Sequence, residues 1–167
     1  MNNPDDTLER VYLKPGECHF SVRPSVVSTV LGSCISVTMF NPERRIGAIC
    51  HAILPEEKTP GEAFRFVDSS IMVMLKSFER HGIHRSGIEI KLFGGSDVLP
   101  TDNGRERGNT VGKQNIGIAL QVVEKEGLRL VTTDLGGTRG RKIVFHTHTG
   151  EIFLKRLRKI MRSSRHE

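Results

Sequence analysis

Residues 34–54 restrict the fold of this chain more than any other segment. Residues 34–40 (CISVTMF) read as a strand, and residues 45–54 (RIGAICHAIL) as a second one. Asn41-Pro42-Glu43-Arg44 between them has turn chemistry. An antiparallel hairpin that pairs Phe40 with Arg45 carries along its strands to a direct pairing of Cys34 with His51. This register puts Ile35, Val37, Met39, Ala48, Cys50, Ala52 and Leu54 on one continuous apolar face, suited to a core. Cys34 and His51 then share the mixed face with Ser36, Thr38 and Gly47. A one-residue slip would turn one strand over and separate the two groups.

The pairing matters because a thiol and an imidazole in hydrogen-bond reach are the minimal apparatus for attack on a carbonyl carbon. The imidazole takes the thiol proton, and the imidazolium stabilises the thiolate. Leu31-Gly32-Ser33 ahead of Cys34 reads as a turn after a strand over residues 25–31 (SVVSTVL). Backbone N–H groups around Gly32 and Ser33 are candidates for holding an oxyanion, since glycine lets the backbone approach closely.

Elsewhere the periodicities predict an initial strand or extended arm over residues 11–20. Phe64, Val67, Ile71, Met74, Leu75 and Phe78 mark an amphipathic helix, closed by Gly82 with Ile83 behind it. A strand over residues 88–93 (IEIKLF) runs into Gly94-Gly95, and residues 100–110 read as an exposed loop. A second helix is marked by Ile116, Leu120 and Val123 and closed by Gly127-Leu128. Strands over 128–132, 142–146 and 151–154 complete the chain. The expected fold class is an α/β (α+β) sandwich in one domain, mixed β-sheet layers with two main helices.

The chain has 167 residues, 37% hydrophobic and 26% charged, enough for one domain with a sizeable core. The expected division is a flexible N-terminus over residues 1–10, one domain over 11–157 and a basic tail over 158–167. The start, MNNPDDTLER, lacks an export signal's basic-then-apolar layout, and no apolar run approaches the ~18 residues of a membrane span. A cytoplasmic location is expected, without membrane insertion. Three cysteines, Cys18, Cys34 and Cys50, are too few and too irregularly spaced for a disulfide framework or a zinc ribbon.

The net charge of +6 draws much of its excess from Lys155, Arg156, Arg158, Lys159, Arg162 and Arg165. Such a tail suits a solvated terminus, or contact with nucleic acid, an anionic membrane or an acidic protein, and charge alone does not choose among them. With one tyrosine and no tryptophan, the chain lacks the aromatic platforms of a single-strand binder, so nucleic acid is not an expected partner. His146-Thr147-His148 supplies two metal ligands at most and reads as a strand-end pair, so no metal or other cofactor is expected. Gly94-Gly95 and Gly136-Gly137 lack a phosphate-loop context and read as tight turns beside the site. Arg139 and Arg141 are either sheet-edge charges or contacts for an acidic partner.

Several blocks together resemble the chemoreceptor glutamine deamidase family, CheD. They are Thr29-Val30-Leu31-Gly32-Ser33-Cys34; Gly47-Ala48-Ile49-Cys50-His51 with Leu54-Pro55; Lys91-Leu92-Phe93-Gly94-Gly95; residues 112–116 (GKQNI); Asp134-Leu135-Gly136-Gly137 with Gly140-Arg141-Lys142; and Thr149-Gly150-Glu151. The blocks follow the family's order from about residue 11 to 157. The resemblance implies a cytoplasmic enzyme of chemotaxis that hydrolyses the side-chain amide of selected chemoreceptor glutamines to glutamate and ammonia. It also implies binding to a CheC-type phosphatase. It makes Cys34 the nucleophile and His51 the general base, with Thr29, or else Ser28, as the residue that orients the imidazole. A non-catalytic adaptor for receptors or a CheC-type phosphatase is the competing reading. Cys50 departs from the expected small or apolar residue, and its parity makes it a core thiol.

Overall fold

A computed structural model describes residues 7–98 and 108–158. Among the described residues, nine strands form two sheets. The first sheet has four strands in the order β1 (Glu9–Tyr12), β3 (Ser25–Leu31), β8 (Arg141–His146) and β9 (Ile152–Arg156). The second has five, in the order β2 (Cys18–Ser21), β5 (Ile46–Cys50), β4 (Ile35–Asn41), β6 (Glu89–Gly94) and β7 (Arg129–Leu135). The β1–β3 and β6–β7 pairs are parallel and the others antiparallel, so both sheets are mixed. Helices α1 (Val67–Arg80) and α2 (Val111–Lys125) cover one face of the five-stranded sheet, giving the α+β sandwich expected from the element order.

Two cores follow from this layering. Between helices and sheet, Val67, Ile71, Met74, Leu75 and Phe78 of α1 pack on Ile35, Val37, Met39, Ala48, Cys50 and Ala52. Between the sheets, Leu13, Val27, Leu31, Ile143 and Phe145 meet Ile49 and Phe93. Both faces of β4 and β5 are therefore buried, and each of their residues is shielded from solvent. The mixed face expected of the hairpin is thus a second interior rather than a solvent face. Its closest approach is at Gly47, where a Cβ would come within 2.5 Å of the Thr147 carbonyl oxygen.

The hairpin register differs from the expected one by two residues. Phe40 pairs with Gly47 and Asn41 with Ile46, not Phe40 with Arg45. Asn41 stays in the strand, its Oδ1 accepts the Arg44 amide at 2.9 Å, and Arg45 takes a left-handed conformation with φ 53°. The turn is therefore residues 42–45. An even slip preserves side-chain parity, so Ile35, Val37, Met39, Ala48, Cys50 and Ala52 face the helices as expected. Leu54 does not join them: it is partly exposed and bridges to Phe66.

Helix ends follow the glycine rule. Gly82, at φ 72°, lets the Ile83 amide reach back to the Phe78 carbonyl at 3.0 Å, and Leu128 does the same to Val123 at 2.9 Å after Gly127. Helix α1 opens three residues after the expected Phe64, behind a 3₁₀ turn at Ala63–Arg65. Helix α2 opens five residues before Ile116, capped by the Thr110 hydroxyl, and Leu120 is exposed rather than in its packed stripe. The arm over residues 11–20 divides into β1 and β2. Residues 1–6 of the N-terminus, residue 99 with 100–107 of the expected loop, and 159–167 of the basic tail lie outside the described residues. No described helix is long and apolar enough to cross a membrane.

Candidate active site

After β3 the chain leaves the four-stranded sheet, turns through Gly32 and Ser33, and enters the five-stranded sheet as β4. Cys34 stands at this crossing, immediately before β4, while His51 follows the last residue of β5. An isolated bridge pairs Ile35 with Ala52, with mutual amide–carbonyl bonds of 3.0 and 2.9 Å. Continued one step, this register sets Ile53 across from Cys34 and makes His51 the diagonal neighbour. Diagonal positions on one face remain within reach of side chains as long as these. The sequence thus assigns the shared face, and the structure corrects the direct pairing.

Thr29 comes to the site from the facing sheet. It is fully buried, and its Oγ1 lies 2.7 Å from His51 Nδ1 and 2.8 Å from the Leu13 carbonyl oxygen. The hydroxyl has one proton and the carbonyl can only accept, so Thr29 donates to Leu13 and accepts from Nδ1–H. This fixes the imidazole tautomer and leaves Nε2 with its lone pair. Among the described residues Nε2 has no hydrogen-bond partner. Ser28, the alternative third residue, has the opposite parity in β3, aligned with Tyr12 and Val144, and its side chain is turned away from His51.

Burial sets the protonation of the pair. His51 is 2% exposed, and desolvation lowers its pKa from 6.5 to about 4. Desolvation also raises the pKa of Cys34, with a smaller opposing effect from its own backbone amide. At neutral pH both the imidazole and the thiol are therefore neutral. Cys34 is partly exposed, whereas Cys50 is fully buried and its thiol is pushed up to about 12 by desolvation. Cys50 is thus a core thiol, as its parity suggests.

The His51 shift has a consequence for stability. Between pH 6.5 and about 4 the unfolded chain protonates this residue and the folded chain does not, so folding weakens as pH falls through that window. Below about 4 both states carry the proton and this contribution stops changing. Thermal unfolding from pH 7 to 4 should show a steeper loss of Tm in the wild-type chain than in His51→Gln.

The turn around Cys34 is held by close backbone packing. The Cys34 carbonyl accepts the Gly95 amide at 2.9 Å, and the Gly32 carbonyl accepts the Ser96 amide at 3.0 Å. Gly94 has φ 108°, and a Cβ there would stand 2.1 Å from the Cys34 carbonyl oxygen, so only glycine fits. Among the described residues, the Ser33 and Cys34 amides have no backbone acceptor. A cleft of about 480 Å³ opens alongside, lined by Ser33, Ile53, Leu54, Ser96 and Thr110. Cys34 and His51 do not line it themselves, but Ser33 and Ile53 are the neighbours of Cys34 along the chain and across the strands.

The remaining candidates resolve differently. Arg141 is 2% exposed and bonds Asp134 Oδ1 at 2.6 Å, Ser96 Oγ at 2.5 Å and the Gly136 carbonyl at 2.7 Å. It staples the glycine turns and is not a sheet-edge charge or an accessible contact. Arg139 donates through Nε to the Leu157 carbonyl at 2.8 Å. The His146 and His148 rings lie 6.2 Å apart at the end of β8, and no metal-holding cluster occurs among the described residues.

Sequence reasoning missed Asn115 of α2. Its Nδ2 donates to the Ser33 carbonyl at 2.9 Å and to the Ile53 carbonyl at 3.0 Å. Asn115 occupies the buried helix stripe of Gly112, Ala119 and Val123, but as a polar residue it gives no apolar periodicity by which to find it.

Comparison with known proteins places this architecture. A family model described as "CheD chemotactic sensory transduction" matches residues 53–156. A protein of Geobacter sulfurreducens named "Probable chemoreceptor glutamine deamidase CheD 2" is 54% identical over 150 residues, covering 90% of this chain and 91% of that protein. The chain belongs to the CheD family. A relative from Maridesulfovibrio salexigens, named "Probable chemoreceptor glutamine deamidase CheD", is 41% identical over 169 residues, covering 96% and 99% of the two chains. Another CheD relative of that name, from Oleidesulfovibrio alaskensis, is 40% identical over 159 residues, covering 92% and 75%. The matched family segment begins at Ile53, after Thr29, Cys34 and His51, whereas these relatives align over nearly the whole chain.

Proposed function

We propose that this protein is a chemoreceptor glutamine deamidase, a hydrolase of glutamine side-chain amides, with Cys34 as nucleophile, His51 as general base and acid, and Thr29 as the group that orients the imidazole. The observation that carries the site assignment is the Leu13–Thr29–His51 hydrogen-bond chain, which leaves a basic Nε2 on the face it shares with Cys34. In this reading, Nε2 removes the thiol proton as Sγ attacks the glutamine side-chain carbonyl carbon. The Ser33 and Cys34 amides stabilise the oxyanion. The imidazolium then protonates the departing nitrogen, ammonia leaves, and a thioester remains on Cys34. Water attacks the thioester carbonyl, giving one proton to Nε2, and collapse of the adduct yields glutamate and restores the thiol.

Thr29 has the orienting role that a carboxylate has in other triads, without adding a buried charge. A neutral orienting group fits the low His51 pKa, because no anion is present to favour imidazolium. The family resemblance also supports a CheC-type phosphatase as a binding partner and the cytoplasm as the place of action. The test is incubation with a chemoreceptor cytoplasmic fragment. Peptides containing a modified glutamine should gain about 1 Da as the amide becomes an acid. A fragment that keeps its mass at every glutamine, under conditions where the protein binds it, would favour the adaptor reading.

A further inference from the structure

We propose that Asn115 is a positioning residue whose side-chain amide sets the separation of Cys34 and His51. The inference rests on the reading of those two residues as the reacting pair. Asn115 is fully buried on the sheet-facing side of α2, and one Nδ2 group bonds both the Ser33 and the Ile53 carbonyl. Ser33 immediately precedes Cys34, and Ile53 lies two residues beyond His51. Each carbonyl can only accept, so the two partners fix which end of the amide faces them. A single planar group thus spans the mouth of the β4–β5 pair, where regular pairing has ended at the isolated Ile35–Ala52 bridge.

The rest of the helix is built to bring Asn115 there. A Cβ at Gly112 would meet the Gly95 and Ser96 carbonyl oxygens at 2.7 and 2.8 Å, so α2 packs directly on the backbone of the loop that bonds Cys34. Ala119, one turn on, is fully buried and small. The Asn115 Oδ1 has no partner among the described residues, although it is buried. An aliphatic side chain would avoid that unsatisfied acceptor but could not donate to the two carbonyls. The amide is therefore best explained by its donors, and its effect should appear in the geometry of the thiol and imidazole.

The test compares Asn115→Ala and Asn115→Asp with the wild-type chain and His51→Ala. Two readouts are needed: steady-state deamidation of a receptor cytoplasmic fragment, and the pH dependence of Cys34 alkylation by iodoacetamide. Both Asn115 variants should keep the wild-type far-UV circular dichroism. Their kcat should fall about 100-fold with KM within about twofold, as expected when reacting groups are misplaced but substrate binding is not. Their alkylation profile should shift towards that of His51→Ala, because a thiol moved from its base titrates alone. Loss of stability by itself would not move that profile. Wild-type kcat, an unchanged alkylation profile, or loss of folded structure in both variants would overturn the proposal. If His51→Ala itself leaves Cys34 alkylation unchanged, the thiol–imidazole reading fails first and this inference falls with it.

Discussion

Cys34→Ala is expected to reduce glutamine deamidation by at least about 10⁴-fold while leaving a folded protein, since the proposed mechanism makes the sulfur the reacting atom and its packing is only marginal. Cys34 is partly exposed at the margin of the inter-sheet core. Its structural bond to Gly95 uses the backbone carbonyl, which alanine retains. Cys50→Ala should behave in the opposite way. It removes a fully buried thiol from the core between helices and sheet, so it should lower Tm and leave turnover nearly intact. Measuring activity and thermal unfolding for both variants separates the two cysteines. Activity surviving in Cys34→Ala and vanishing in folded Cys50→Ala would reverse the assignment.

His51→Ala should be nearly as damaging, lowering kcat by about 10⁴-fold, because in the proposed mechanism the thiol then lacks both its proton acceptor and the donor for departing ammonia. The elevated Cys34 pKa makes this dependence stronger than in a site with a preformed thiolate. Iodoacetamide provides a check that needs no receptor. In the wild-type chain Cys34 should alkylate before Cys18 and Cys50, and in His51→Ala that advantage should disappear. Equal labelling of all three cysteines in the folded wild-type chain would contradict the account.

How much of this was legible in the sequence depended on how local the cause was. Strand β3 matches its expected span at Ser25–Leu31, and the ends at Gly82 and Gly127 follow from glycine conformation and the apolar residue behind each. The face shared by Cys34 and His51 was legible because strand parity survives an even slip. Their direct pairing was not, because Asn41 Oδ1 and the left-handed Arg45 extend the turn.

Longer-range features left weaker marks. The four-stranded sheet joins β3 to β8, pairing Val26 with His146, and no local pattern reports such a contact. The role of Thr29 over Ser28 rests on that sheet, because only its closure brings β3 across to His51. The packed stripe of α2 runs through Gly112 and Asn115, neither of which gives a hydropathy signal, while apolar Leu120 is exposed. The turn and the strand parity supplied Cys34 and His51 as candidates, and the resemblance added Thr29. The hydrogen-bond chain supplies the physical reason for preferring Thr29, and it could not be seen without the fold.

The most direct test is to catch the acyl-enzyme. The wild-type chain is mixed with excess receptor fragment, quenched in acid within the first turnover, and digested for mass spectrometry, since a thioester survives acid. The account predicts a peptide containing Cys34 joined to a receptor glutamine peptide, with a mass about 17 Da below their sum because ammonia has left. The same adduct on Cys18 or Cys50, or deamidation proceeding with no Cys34 adduct at any quench time, would contradict it.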